Sequence, residues 1–398
     1  MIIRRLLTAI LLSLVALGGT ARAFTDDQSD DLYDRARDAI EQGRYDRAVA
    51  SLDRVIAAKS TRADAALYWK AYSLSKLGQQ ADALATLADL QQRFKDSRWL
   101  KDAKALEVEV RQSTGQSVSP DAQVDEDTKL MALRGLMDSE PERAIPIIEQ
   151  MLAGTSSPKV KDRALFVLSQ SNSPRARDVI ANVAKGGANP DLQLRAIRYV
   201  GMMGGDASRQ LLADVYKSST DPAVKHAIIR SFMVAGDRVR LLALAKTEAD
   251  AEMRGAAVQQ LGVMGAHAEL AELYQNETSV DVKKKILQAM FVGGSADKLL
   301  ELARTEKDPD LRRTAVRGLG LMGASKTGDA LKTIYQSDAS PEIRKEAINA
   351  LFLQNNGRVL VELARAERDP QMKKEIVAKM SVMSKNKDVT DYLLELLK

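Results

Sequence analysis

No cysteine occurs anywhere in this 398-residue sequence. That excludes disulfides, thiolate nucleophiles, cysteine-held metals and a lipid-modified cysteine, and it leaves packing over many residues to hold the fold. Histidine is nearly absent too: His226 and His267 lie 41 residues apart, with no second ligand at metal spacing, so no metal is expected. An excess of charge of one sign is also missing. The chain has 59 Lys+Arg against 54 Asp+Glu, and three of the arginines (Arg4, Arg5, Arg22) fall in the extreme N-terminal segment. The balance over the rest is 56 against 54, which gives no argument for a nucleic-acid partner.

Long apolar runs are lacking, with one exception. LLTAILLSLVALGG follows Arg4 and Arg5 and precedes Thr20-Ala21-Arg22-Ala23, an A-x-A pattern. The run falls short of the ~20 apolar residues that a membrane span needs. It predicts a secretory signal peptide over 1–23, cut after Ala23, and a mature chain free in the periplasm or secreted, with no stable membrane insertion.

Motifs that carry chemistry are equally scarce. No Walker loop and no G-x-S-x-G occurs. Gly318-Leu319-Gly320-Leu321-Met322-Gly323 matches the dinucleotide pattern G-x-G-x-x-G, but it ends a helical pattern rather than following a strand, and the equivalent QLGVMG at 260–265 drops the first glycine. Asp26, Asp27, Asp30 and Asp31 cluster without the glycine and glutamate of a calcium loop; acids in this position suit the start of a helix. No catalytic residue, cofactor or metal site is expected.

What is present is helix-forming sequence, rich in Ala, Leu, Met, Lys, Arg and Glu, written in repeats. The first system spans 29–95, as AIEQGRYDRAVASL (39–52) and SLSKLGQQADALATL (73–87). Gly43 and Gly78 stand 35 residues apart, each with an alanine seven residues before (Ala36, Ala71) and five after (Ala48, Ala83). Small residues there let antiparallel helices approach, and each glycine makes the turn between them. With ALYWKAYSLSKLG and QQRFKDSRWLKDAKAL, this stretch resembles the tetratricopeptide repeat, in particular its bacterial envelope members, though it lacks the proline after each second helix. The resemblance implies a helical domain over 24–112. A polar stretch, 113–123, then reads as a linker.

The second system is marked by a capping residue before each helix start: SPK (157–159), NPD, DPA, DAE, SVD, DPD, SPE and DPQ (369–371). Their middle residues step by 32, 32, 29, 29, 29, 32 and 29. Asp, Asn or Ser satisfies first-turn amides, and proline fits the first helical position, where no donor is needed. Helix pairs of this length with a D-P-x-[LVM]-[RK] start resemble short bacterial HEAT repeats. The resemblance covers 124–398 in about nine units and implies an all-α solenoid.

The recurring unit is two repeats, not one. LAKTEADAEMRGAAVQQLGVMG (244–265) and LARTEKDPDLRRTAVRGLGLMG (302–323) share 12 of 22 residues at an offset of 58. Eleven residues after the start, one class has Gly201, Gly262 and Gly320, the other Met233, Phe291 and Phe352. Five residues before the next cap, the first class has Tyr216, Tyr274 and Tyr335, the other Ala245, Ala303 and Ala364. The expectation is that tyrosine meets glycine inside one repeat and Phe or Met meets alanine, which keeps volume constant. Nine such layers would give a rod or arc of roughly 70–90 Å.

One ladder of charge remains. Lys246, Arg304 and Arg365 take the same place in the second helix of alternate repeats. They either complement the helix C-terminus, paired with Glu248, Glu306 and Glu367, or form a line of positive charge that binds a partner on the inner wall. The two resemblances imply an exported, non-enzymatic scaffold that binds a protein or extended peptide. The alternative is a ligand-binding or lyase-like HEAT module acting on another protein; that class would place His and Asp/Glu clusters in every unit, and these repeats have none.

Overall fold

The computed structural model describes residues 26–113 and 126–398, apart from 155, 157, 188 and 384. The expected signal peptide and most of the expected linker lie outside these residues. Within them the chain is all-α, with 23 helices and no strand. It divides into two compact units: the described residues up to Ala132 with Ala153–Arg163, and Leu133–Leu152 with Ala164–Lys398.

The first unit contains α1 (Asp26–Glu41), α2 (Tyr45–Ala57), α3 (Ala63–Lys76), α4 (Gln80–Arg93) and α5 (Leu100–Ser113), each packed on the next. The four alanines of the first repeat are buried, and Gly43 and Gly78 take positive φ (71° and 77°) where the chain reverses. Aromatic side chains complete the core: Tyr68 stacks on Trp99 at 4.7 Å, and Trp69 meets both edge-on. Asp30 and Asp31, part of the acidic cluster, lie in α1 and pair with Arg62 and Arg35 at 2.7 and 2.6 Å.

Charges are buried in this unit as pairs. Arg37 donates to Asp162 at 2.6 Å with its guanidinium over the Trp69 ring, and Lys161 donates to Asp102 at 3.0 Å. All four side chains are at least nine-tenths buried, where a charge is tolerated only with polar partners.

The remaining helices follow one another along the chain as nine successive twos. They are α6 (Glu126–Ser139) with α7 (Pro141–Ala153), α8 (Pro158–Ser169) with α9 (Pro174–Ala184), and α10 (Pro190–Met203) with α11 (Gly205–Ser218). Next come α12 (Pro222–Val234) with α13 (Arg238–Thr247), α14 (Ala251–Val263) with α15 (His267–Asn276), and α16 (Val280–Gly293) with α17 (Ala296–Thr305). Last are α18 (Pro309–Leu321) with α19 (Ala324–Ser337), α20 (Pro341–Leu353) with α21 (Gly357–Ala366), and α22 (Pro370–Met380) with α23 (Lys387–Glu395). From α10 onward every first helix has its cap: Asn189, Asp221, Asp250, Ser279, Asp308, Ser340 and Asp369 each accept from a first-turn amide. Ser157 lies outside the described residues. A continuous core runs from Leu133 to Tyr392.

The two-repeat period has a different cause from the one expected. A Cβ on Gly201 would lie 2.7 Å from Ser231, on Gly262 2.8 Å from the backbone of Ala289, and on Gly320 2.7 Å from Ala350. These neighbours belong to the first helix of the next repeat, so glycine admits that helix rather than the tyrosine of its own repeat. The first helices therefore pack in tight couples, α10 on α12, α14 on α16 and α18 on α20. Between couples the residue at the glycine's position is large. Phe291 stands against Gly318 across α16 and α18, which holds those helices less closely.

Candidate interaction surface

The tyrosines do more than fill the core. Tyr216, Tyr274 and Tyr335 are buried, and their hydroxyls donate to Glu248, Glu306 and Glu367 at 2.8, 2.6 and 2.5 Å, each 32 residues on. A cation nine residues past each tyrosine lies over its ring: Lys225 at 5.0 Å, Lys283 at 5.1 Å and Arg344 at 4.7 Å. The other oxygen of each glutamate accepts amides at the following turn, such as that of Asp308 at 2.9 Å. Each group ties three helices of two consecutive repeats.

The electrostatics follow from that geometry. Burial pushes the carboxyls of Glu248, Glu306 and Glu367 up, but the tyrosine and amide hydrogen bonds outweigh it and hold them below the ordinary range. Burial, then the bond to the carboxylate, pushes the tyrosines up. In the intervening repeats an arginine replaces the hydroxyl: Arg254 donates to Glu277 at 3.0 Å, and Arg312 pairs with Asp338.

Glu248, Glu306 and Glu367 are therefore not partners of the Lys246, Arg304 and Arg365 ladder. They turn into the repeat boundary, where tyrosine supplies a donor, while the cations face out. Lys246 in the last turn of α13 reaches Glu272 of α15 at 2.7 Å, and Arg365 in that of α21 reaches Glu395 of α23 at 2.6 Å. Arg304, in the last turn of α17, is exposed and has no partner among the described residues. The ladder is thus regular in position and uneven in pairing. Sequence reasoning missed the tyrosine groups, although Tyr at i, Lys or Arg at i+9 and Glu at i+32 recur three times and would have revealed them.

The G-x-G-x-x-G match carries no phosphate loop. Gly318 and Gly320 lie inside α18, facing Phe291 and Ala350. His226 lies 3.1 Å from Glu252 and His267 2.5 Å from Ser295, each with a single polar partner of its own. Among the described residues no group of three or more His, Asp or Glu is placed to hold a metal ion. A groove of about 290 Å³ lies between α16 and α18, with Leu287, Phe291 and Leu321 as its apolar lining and Lys284, Arg313 and Arg317 among its polar residues.

These helix pairs define a helical-repeat protein with two kinds of repeat. Comparison with known families gives the kinds: a tetratricopeptide-repeat model matches residues 65–97, and a HEAT-repeats model matches 145–233 and 296–353. The chain thus carries a tetratricopeptide repeat followed by HEAT repeats. No curated protein matches. Among solved structures, a chain from the crystal structure of the APC/C hetero-tetramer Cut9-Hcn1 aligns over 95% of this chain and 98% of that one, at 13% identity with a TM-score of 0.19. A score that low carries no argument.

Proposed function

We propose that this chain is an exported, non-enzymatic scaffold of the cell envelope that binds another protein or an extended peptide segment. The observation that supports this reading is the register of the HEAT repeats: equivalent side chains recur at every second repeat, a surface suited to a long partner rather than a small molecule. Lys246, Arg304 and Arg365 are the proposed contacts on the second-helix side, with Arg304 free to take a carboxylate and the other two able to exchange an exposed one. Export rests on the pattern at residues 1–23.

Cross-linking in the native envelope followed by mass spectrometry tests the scaffold. A protein captured by the wild-type chain and lost when Lys246, Arg304 and Arg365 all become Glu is the expected result. Capture that survives the triple change at physiological salt removes the ladder from the account, and no captured protein removes the scaffold. N-terminal sequencing of the mature chain is expected to start at Phe24.

A further inference from the structure

The first helices present a second regular surface. Twelve residues past each helix start, seven repeats in a row place an exposed aliphatic side chain or methionine: Met202, Val234, Val263, Val292, Leu321, Leu353 and Val382. All are more than half exposed, from 52% at Leu321 to 70% at Met202. Single exposed apolar residues are ordinary on any surface, but a stripe that repeats in register along one edge is the kind of patch that marks an interaction site.

Cations stand beside the stripe on the first helices. Between six and thirteen residues past each of these starts, the chain carries Arg198, Arg230, Arg317 and Lys379 and no acid; of these, Arg317 is held by Glu346, five residues past its own start. Arg198 and Arg230 are exposed, have no partner among the described residues, and stand one helical turn before Met202 and Val234. Three acids at the starts of second helices are already engaged, Asp206 with Arg209, Asp237 with Arg240 and Glu269 with Arg238, while Asp297 and Asp388 have no partner among the described residues. At Leu321 the stripe opens into the groove between α16 and α18, where Phe291 and Leu287 add apolar surface, Lys284 adds a cation and the one acid, Asp310, is paired with Arg313.

We infer that this edge is a docking track for an extended acidic segment of another protein, with an apolar side chain at every third residue. The spacing selects the conformation. Packed helices lie about 8–10 Å apart, and three residues of polyproline II helix advance about 9 Å, so successive turns meet successive stripe residues. A β-strand returns to one face about every 7 Å and an α-helix every ~5.4 Å, and both lose register within a few repeats. A membrane is the poorer occupant: the stripe contains no aromatic side chain of the kind that anchors at a lipid interface. The inference deepens the scaffold reading and rests on it, but it uses a surface other than the Lys246, Arg304 and Arg365 ladder.

The test uses the full chain and a fluorescent peptide of seven Leu-Pro-Glu triplets, followed by anisotropy. The expected result is saturable, salt-sensitive binding that is lost when the same residues are scrambled out of the three-residue period. Replacing Val263, Val292 and Leu321 together with Gln is expected to weaken binding by at least ~10-fold, because three apolar contacts are lost, with little change in melting temperature. The ladder variant, with Glu at 246, 304 and 365, is expected to bind the peptide as the wild type does. No binding, or binding indifferent to the three Gln changes, overturns the track. Dependence on the ladder alone overturns it too, yet leaves the scaffold standing on its second-helix face. Vesicle binding or self-association that the Gln changes abolish, without peptide binding, assigns the stripe to lipid or to a second copy and overturns it as well.

Discussion

The hydroxyl of Tyr274 donates to Glu306 Oε2 at 2.6 Å, across the boundary between two repeats and 32 residues along the chain. Tyrosine stands in the second helix of one repeat and glutamate just past the second helix of the next, so the bond registers neighbouring layers. Tyr274→Phe keeps the ring and leaves a partly buried carboxylate oxygen short of a donor. It is expected to destabilise the protein by about 1–2 kcal/mol in urea unfolding. A cycle with Glu306→Gln should show coupling of about 1 kcal/mol; additive effects would mean that the bond contributes nothing.

Acid should loosen the same contacts. The carboxyls of Glu248, Glu306 and Glu367 lie below the ordinary range because the hydrogen bonds to tyrosine and backbone outweigh the upward push of burial. A depressed folded pKa means that the unfolded chain binds protons first. The stabilisation is complete above the unfolded carboxylate pKa of about 4.3 and is lost as pH falls through the folded values. Stability measured from pH 6 to pH 3 is expected to fall, and to fall less steeply in the triple variant Tyr216→Phe, Tyr274→Phe, Tyr335→Phe. An equal slope in the two proteins would contradict this.

Two glycines of one helix should respond with opposite signs. A Cβ on Gly262 would sit 2.8 Å from the Cα and carbonyl oxygen of Ala289, backbone that cannot yield without separating α14 from α16. Gly262→Ala is expected to cost about 1–3 kcal/mol. At Gly255 the obstacle is the flexible end of Lys285, which can swing aside. Gly255→Ala is expected to stabilise the protein by about 0.5–1 kcal/mol, from helix propensity. Thermal unfolding of both variants checks the pair.

In the first unit, Asp162→Ala removes the carboxylate beside the buried Arg37 guanidinium. Loss of that carboxylate from a buried guanidinium is expected to cost about 3–5 kcal/mol, and replacing Arg37 with Met as well should recover a large part of it. If the second change recovers nothing, the buried charge is not the source of the loss.

Much of this fold is legible in the sequence because its rules are local. A cap such as Asp308 or Ser340 declares a helix start by itself, and the 29- and 32-residue steps count the pairs. The two classes of repeat are visible as alternating Gly and Phe. What they touch is not, since contact across a repeat boundary depends on how helices stack: Gly262 meets Ala289 in the next repeat, not Tyr274 in its own. The same limit hid the partners of Glu306 and Glu367, which sit beside Arg304 and Arg365 in sequence and turn away from them in space. The stripe from Met202 to Val382 was hidden for another reason. At helical spacing an apolar residue reads as core, and only the fold shows that these seven are exposed.

Deleting residues 251–308 tests the two-repeat cassette most directly. The cut removes α14 to α17, brings Asp250 to cap Pro309-Asp310 in place of Asp308, and sets α12 before α18, the same order of classes as α16 before α18. The shortened chain is expected to keep the same helical circular dichroism per residue and to unfold cooperatively, because each repeat meets only its neighbours. Loss of helical signal, or unfolding without cooperativity, would contradict the account.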